Sequence, residues 1–219
     1  MRPRYISINV REAECMHGEV GVHGPEGKLA NISCYSSTIY SREQRPIGYM
    51  KSQLLTKGAM HIDGGLNGMW QECQAYDESH APESKLDKVE NYLSNESFYT
   101  DKQSLIDAAE SVLFIEQVYI KPVYRGNGFG LLAIDCLINQ LGVGERCIVL
   151  LQAGAINGAF DGRENCSMNP SEAHEKIARH WKRMGFDEWS YTDDAWLCLS
   201  TDKTQRPRIE GVVPNLFAD

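Results

Sequence analysis

A chain of 219 residues with 42% hydrophobic content has enough apolar material to bury a core as one domain, or at most two small ones. Its net charge of -8, from 22 Lys and Arg against 30 Asp and Glu, argues against a primary nucleic-acid binder, which needs a broad basic face, and is mildly congenial to a cationic, amine-bearing partner. The longest apolar stretches, Ser111–Ile120 and Cys147–Leu151, fall short of the ~20 residues of a membrane span, and the polar start Met1-Arg2-Pro3-Arg4-Tyr5 lacks a signal-peptide apolar core, so the expectation is a cytoplasmic protein with no membrane partner.

In chain order, short β-branched and apolar runs alternate with turn residues through the first third: Tyr5–Val10, Leu29–Tyr40, Ile47–Thr56 and Ala59–Ile62, the last before Asp63-Gly64-Gly65. They predict an antiparallel meander. From Leu66 to Ala109 the chain turns polar and helix-prone, best at Ser84–Leu93 and Gln103–Ala109, with too few apolar residues for a core of its own, which makes it an insertion. Its segment Trp70–Tyr76, with Asp77, Glu78 and His80, is a candidate lining for an acceptor pocket or a plain solvated helix. Ser111–Ile120 is the strongest strand pattern, apolar on both faces as a central strand is. Leu131, Ile134, Leu137, Ile138 and Leu141 recur at helical spacing from Gly130 until Gly142 and Gly144. A buried strand, Arg146–Gln152, precedes a loop and a helix opened by Asn169-Pro170-Ser171-Glu172 and closed near Met184-Gly185. Phe186–Tyr191 and Ala195–Ser200 read as a closing hairpin, and Thr201–Asp219 as a polar, loosely held tail. The domain therefore spans residues 1–200, with the insertion at 66–109 and the tail at 201–219.

Seven cysteines, Cys15, Cys34, Cys73, Cys136, Cys147, Cys166 and Cys198, are dispersed and never spaced Cys-x-x-Cys, which predicts reduced thiols rather than a disulfide framework or a zinc site. His174-Glu175 followed by His180 lacks the i, i+4 histidine pair of a zinc helix, because position 178 is Ala. His61 and Asp63 share a strand face without a third ligand. No metal is expected.

The chemistry-bearing segment is Tyr124-Arg125-Gly126-Asn127-Gly128-Phe129-Gly130, a glycine-rich turn between the central strand and the helix. Free N–H groups at a helix start, with roughly half a positive charge from the helix dipole, make an anion site. A tight turn without a ligand remains the simpler reading of a lone Gly-x-Gly. A dinucleotide fingerprint fails because position 131 is Leu, and a phosphate loop fails for want of Gly-Lys-Ser/Thr.

Arg125-x-x-Gly128-x-Gly130 does match Arg/Gln-x-x-Gly-x-Gly/Ala, and the wider string Val118–Gly130 and the later Ile177–Phe186, a helix ending in Gly-Phe, resemble the two motifs of the GNAT (GCN5-related N-acetyltransferase) superfamily. The resemblance covers Ser111–Ser200. It implies an α+β fold: a mixed, mostly antiparallel sheet with a splayed parallel strand pair, Ser111–Lys121 beside Arg146–Gln152, flanked by helices. It implies acetyl-CoA as cosubstrate, with main-chain contacts at Val118 and Ile120 and a pyrophosphate cradle from Arg125, Gly126, Asn127, Gly128, Phe129 and Gly130. The reaction implied is acetyl transfer to a primary amine, on a small molecule or a peptide, in a ternary complex. A backbone N–H near Val118 would polarise the thioester carbonyl. Glu116 is the candidate general base, placed by period-2 alternation on the face of Val118 and Ile120, with a structural ion pair as the competing role. Where the family carries a tyrosine that protonates the leaving thiolate, this chain has Trp181, which packs on the cofactor or in the core; Tyr191 or Tyr119 could substitute as the acid. That departure keeps a second reading open, a CoA-binding sensor or interaction module without turnover. A homodimer is also left open.

Overall fold

The computed structural model describes residues 6–13, 21–24, 27–57, 109–154, 170–188 and 196–214. The strands are β1 (Ile6–Ala13), β2 (Gly21–Gly24), β3 (Gly27–Ser41), β4 (Pro46–Lys57), β5 (Ser111–Ile120), β6 (Cys147–Gln152), β7 (Asp187–Glu188) and β8 (Trp196–Ser200). The helices are α1 (Phe129–Leu141), α2 (Pro170–Lys182) and the short α3 (Ile209–Val212), with a single 3-10 turn at Pro122–Tyr124. The last strand of the expected meander, Ala59–Ile62, the helices foreseen in the insertion as far as residue 108, Asn169 and residues 189–195 of the closing hairpin lie outside the described residues.

The strands form one sheet in the order β1-β3-β4-β5-β6-β8-β7, with β2 pairing β3. Every pairing is antiparallel except β5 with β6, which runs parallel from Ser111 opposite Cys147 to Ile115 opposite Leu151. This is the GNAT-like α+β arrangement that the sequence motifs implied. The hairpin β2 was not foreseen, since Gly21-Val22-His23-Gly24 is too short and glycine-rich to register as a strand.

Side chains alternate across each strand, so one face of the sheet carries Ile39, Met50, Leu113, Ile115, Val149, Leu151 and Leu199. Helix α1 covers that face with Leu131, Leu132, Ile134, Leu137 and Ile138, its apolar residues at the helical spacing the sequence showed. Each such side chain, all but fully buried, contributes roughly 1.5–3 kcal/mol. The opposite face buries Val112, Ile148, Leu150, Trp196 and Cys198, which is why β5 and β6 are apolar on both sides. Helix α2 sets Ile177, Ala178 and Trp181 against the first core.

A bulge in β5 positions the site. Ser52 of β4 stands opposite Ile115 and Lys51 opposite Gln117, so Glu116 is one residue extra. A bulge bends and twists its strand. It falls where β5 stops pairing with β6: after Ile115 the pairing with β4 continues to Ile120 opposite Gly48, while β6 ends at Gln152. The two parallel strands part there.

Two expectations need correction. Residues 201–214 are packed rather than loose: Thr201 Oγ1 donates to Gly144 O at 2.6 Å and accepts from Cys147 N at 3.1 Å, Val212 and Val213 enter the core, and Arg206 pairs with Asp135 of α1 at 3.4 Å. A few well-placed apolar residues outweigh a polar composition. Cys34 is disulfide-bonded rather than reduced, while Cys136 and Cys147 are thiols. Dispersed spacing conceals a pair that the fold brings together. No helix among the described residues is long and apolar enough to cross a membrane.

Candidate active site

A cleft of about 540 Å³ lies where β5 and β6 part. Its walls are Ile115–Ile120 of β5, Leu151 and Gln152 at the end of β6, the turn from Tyr124 to Gly130, and the side of α2 from Lys176 to Arg183. Thus Glu116, Val118, Ile120, Arg125, Gly126, Gly128, Phe129, Gly130 and Trp181, nine residues singled out in the sequence, converge on one cavity. Asn127 adjoins it and shapes the turn, donating its side-chain amide to Tyr124 O and Arg125 O, each at 3.2 Å.

The turn is a nest of amides. Gly126 and Gly128 are left-handed, with φ of 83° and 81°, and the first α1 hydrogen bond runs from Leu132 N to Gly128 O at 3.1 Å. The N–H groups of Phe129, Gly130 and Leu131 therefore precede the helical ladder and have no acceptor within it. Arg125 N–H is already engaged with Pro122 O at 3.1 Å, so the open donors begin after it. The Arg125 side chain turns back to β5: its Nε donates to Ile120 O at 2.8 Å and its guanidinium lies 5.6 Å from the Tyr119 ring centre, which itself stacks on Tyr49 at 5.2 Å. That fastens the turn to the strand it follows, and it fills a carbonyl of Ile120 that the sequence reading left for the ligand.

The glycines differ in what they require. A Cβ at Gly126 would meet nothing within 4 Å, so that side of the turn is open for a ligand to approach the backbone. A Cβ at Gly128 would lie 2.3 Å from Val213 Cγ1, so this glycine also makes room for the C-terminal segment. At Gly130 the Trp181 ring is 3.3 Å from the Cβ position. A diphosphate fits this cradle: outward amides, left-handed glycines and a helix N-terminus.

Glu116 stands at the mouth of the opening, but on the other face from the one that alternation predicts. Because the bulge adds a residue, Val118 and Ile120 follow the parity of Ile115 and face the α1 core, whereas the Glu116 carboxylate accepts from Gln53 Nε2, opposite Phe114 on the far face. The cleft is lined from both faces at this point. Gln53 was not foreseen, since only the register of β4 against β5 brings it there.

Trp181 packs edge-on to His180 and Phe186, with ring centres 5.2 and 6.2 Å away, as well as on Gly130. It is a wall of the cleft fixed to the start of α1. His180, which the sequence reading weighed only as a metal ligand, lines the cleft too, and burial, reinforced by Arg183, holds its pKa below the ordinary value. Tyr119 also lines the cleft; Tyr191 lies outside the described residues. Among the described residues no group of three or more His, Cys, Asp or Glu is placed to hold a metal.

No family model matches this chain, and no curated protein matches it in sequence. Solved structures that match include a Drosophila melanogaster polyamine N-acetyltransferase that forms N-acetylagmatine, at 10% identity and TM-score 0.41, covering 75% of this chain and 74% of that one. Another is the apo form of a mutant agmatine N-acetyltransferase, at 11% identity and TM-score 0.43, covering 89% and 100%. At these values the functional reading rests on the chain's own strand order, turn and cleft.

Proposed function

We propose that this protein is an N-acetyltransferase that moves an acetyl group from acetyl-CoA to a primary amine, directly and in a ternary complex. The observation that carries the reading is the parting of the parallel strands β5 and β6 beside a glycine turn with open amides, in one continuous cleft. Acetyl-CoA supplies the activated acetyl thioester.

The chain's own residues account for the rest. Amides of Gly126, Asn127, Gly128, Phe129 and Gly130 hold the diphosphate, with the α1 dipole adding to the attraction. Past the bulge, β5 pairs only with β4 among the described strands, so alternate N–H and C=O groups between Gln117 and Ile120 are directed away from that partner, toward the opening. They suit the amide-bearing arm of the cofactor, and an N–H near Val118 serves as donor where negative charge develops on the thioester oxygen. Glu116 takes a proton from the acceptor's ammonium, directly or through water, so that the neutral amine attacks, and Gln53 Nε2 holds its carboxylate in place. The acceptor amine reaches Glu116 from the face opposite α1, because the helix side is closed by core. A small cationic amine suits the chain's overall charge.

For the leaving thiolate, Trp181 has a donor N–H but is no useful acid, and Tyr119 and Tyr124 are the tyrosines among the lining residues. The packing of Trp181 on Gly130 is what favours the second reading, a CoA-binding module without turnover. The two readings separate on one assay: purified protein with acetyl-CoA and a panel of amines, read by release of free CoA thiol. Amine-dependent release supports the enzyme; binding without release under any amine leaves the module.

A further inference from the structure

The side of the sheet away from α1 is open where it borders Glu116. Strand register sets Arg11, Ser36, Lys51 and Gln117 side by side in one row across β1, β3, β4 and β5, and the next row toward Ile120 ends in Tyr49 and Tyr119. Arg11, Ser36, Tyr49 and Lys51 are exposed. In the other direction along the strands the same side closes: Leu55 and Val112, opposite each other, are only 7% and 4% exposed. The open area therefore abuts the mouth of the cleft. Lys51 stands opposite Gln117, a lining residue next to Glu116, and side chains directly opposite on paired strands start about 5 Å apart.

Neither row holds an Asp or Glu, although the chain has 30 of them and a net charge of -8. Among the described residues the ion pairs are Arg146–Glu110, Lys182–Glu188 and Arg206–Asp135, so Arg11 and Lys51 are engaged in none. Arg125 stands by them, its guanidinium 5.6 Å from the Tyr119 ring centre. An exposed cation is stable in water without a partner, so no one of these charges calls for a ligand; the sorting of charge on the face that the acceptor must cross does. The chain's overall charge suits a small cationic amine, but here a second cation on the acceptor would meet like charge at Lys51 and Arg125. The amine itself has Glu116.

We infer that this face carries the body of the acceptor, and that the acceptor is an acidic polypeptide whose amine enters at Glu116. With paired strands about 4.8 Å apart, the strand of Lys51 lies about 5 Å from β5 and that of Arg11 about 14 Å. A small molecule with its amine at Glu116 meets the first cation alone. An extended chain, at about 3.3 Å per residue, reaches the strand of Lys51 within about two residues and that of Arg11 within about five, and acidic side chains at those places complete both pairs. The inference rests on the N-acetyltransferase reading above and names the acceptor class for it.

The test is the rate of CoA thiol release by the full chain with acetyl-CoA and either of two peptides of about ten residues. Both begin with Lys, so that an α- and an ε-amine are offered, and they differ only in having Asp or Asn at positions two to six. The face predicts a kcat/KM about fivefold or more higher for the Asp peptide, shrinking as salt is raised, as exposed ion pairs do. It also predicts that the double variant Arg11→Gln/Lys51→Gln treats the two peptides alike. Equal use of both peptides by the unsubstituted protein, a preference indifferent to salt, or a variant weakened equally toward both overturns the inference. Release with a small alkylamine but with neither peptide overturns it and leaves the N-acetyltransferase reading standing. Release with no amine overturns both.

Discussion

At the scale of single residues, Glu116 is the proposed general base, and its carboxylate accepts a hydrogen bond from Gln53. Replacing it by Gln keeps the size and removes the base, so kcat should fall about 10²–10⁴-fold with acetyl-CoA binding unchanged. Equal activity returns Glu116 to a structural role at the bulge. Two half-buried groups predict opposite pH responses. The pKa of His180 is lowered, mainly by burial and then by Arg183, so its contribution to stability is present above its unfolded value and is lost as pH falls through the folded value. Denaturant unfolding at about pH 7.5 and about pH 5 should therefore show a smaller acid loss in His180→Gln than in the unsubstituted protein. The pKa of Asp135 is raised, because burial outweighs its attraction to Arg206. Its contribution is present below the unfolded value and is lost as pH rises through the folded one, so Asp135→Asn should gain less on acidification from about pH 7 to about pH 4. Identical pH dependence in either variant contradicts the assigned environment.

At the scale of elements, the sequence disclosed whichever features depend on local periodicity. Strand β5, helix α1 and the glycine turn were readable because apolar spacing and glycine placement are local properties of the chain. The face of Glu116 was not, because a bulge depends on the register of β4 against β5, and one extra residue reverses every parity after it. Nor was the docking of the C-terminal segment beneath Gly128, where Val213 sits within a polar stretch. This contact has a measurable consequence. Gly126→Ala meets open space and should cost only the left-handed strain, about 1–2 kcal/mol, whereas Gly128→Ala adds a clash with Val213 and should cost more. Val213→Ala removes the Cγ1 atom at 2.3 Å and leaves the Cβ at 3.3 Å, so the double variant Gly128→Ala/Val213→Ala should lose less stability than the sum of the two single losses. Strict additivity in thermal unfolding would mean that the segment does not press on the turn.

At the scale of the whole molecule, composition pointed toward a cationic partner and away from nucleic acid, yet the cleft itself is locally basic. An average over the chain does not report the field at one site. The acidic total and the basic cleft fit together if the nucleotide and the amine approach from different faces of the sheet, which the opening at Ile115 and Leu151 permits. The proposed chemistry rests on the cleft rather than on the fold alone, and the decisive question is whether the cleft takes the cosubstrate. The most direct measurement is a thermal-shift titration with acetyl-CoA, using NAD and ATP as controls. At ~100 times its dissociation constant the ligand adds about 2.7 kcal/mol, a rise on the order of 5–10 °C for a chain of this size. A rise with acetyl-CoA and none with NAD or ATP is the predicted result. No rise with acetyl-CoA, or an equal rise with all three, contradicts the account.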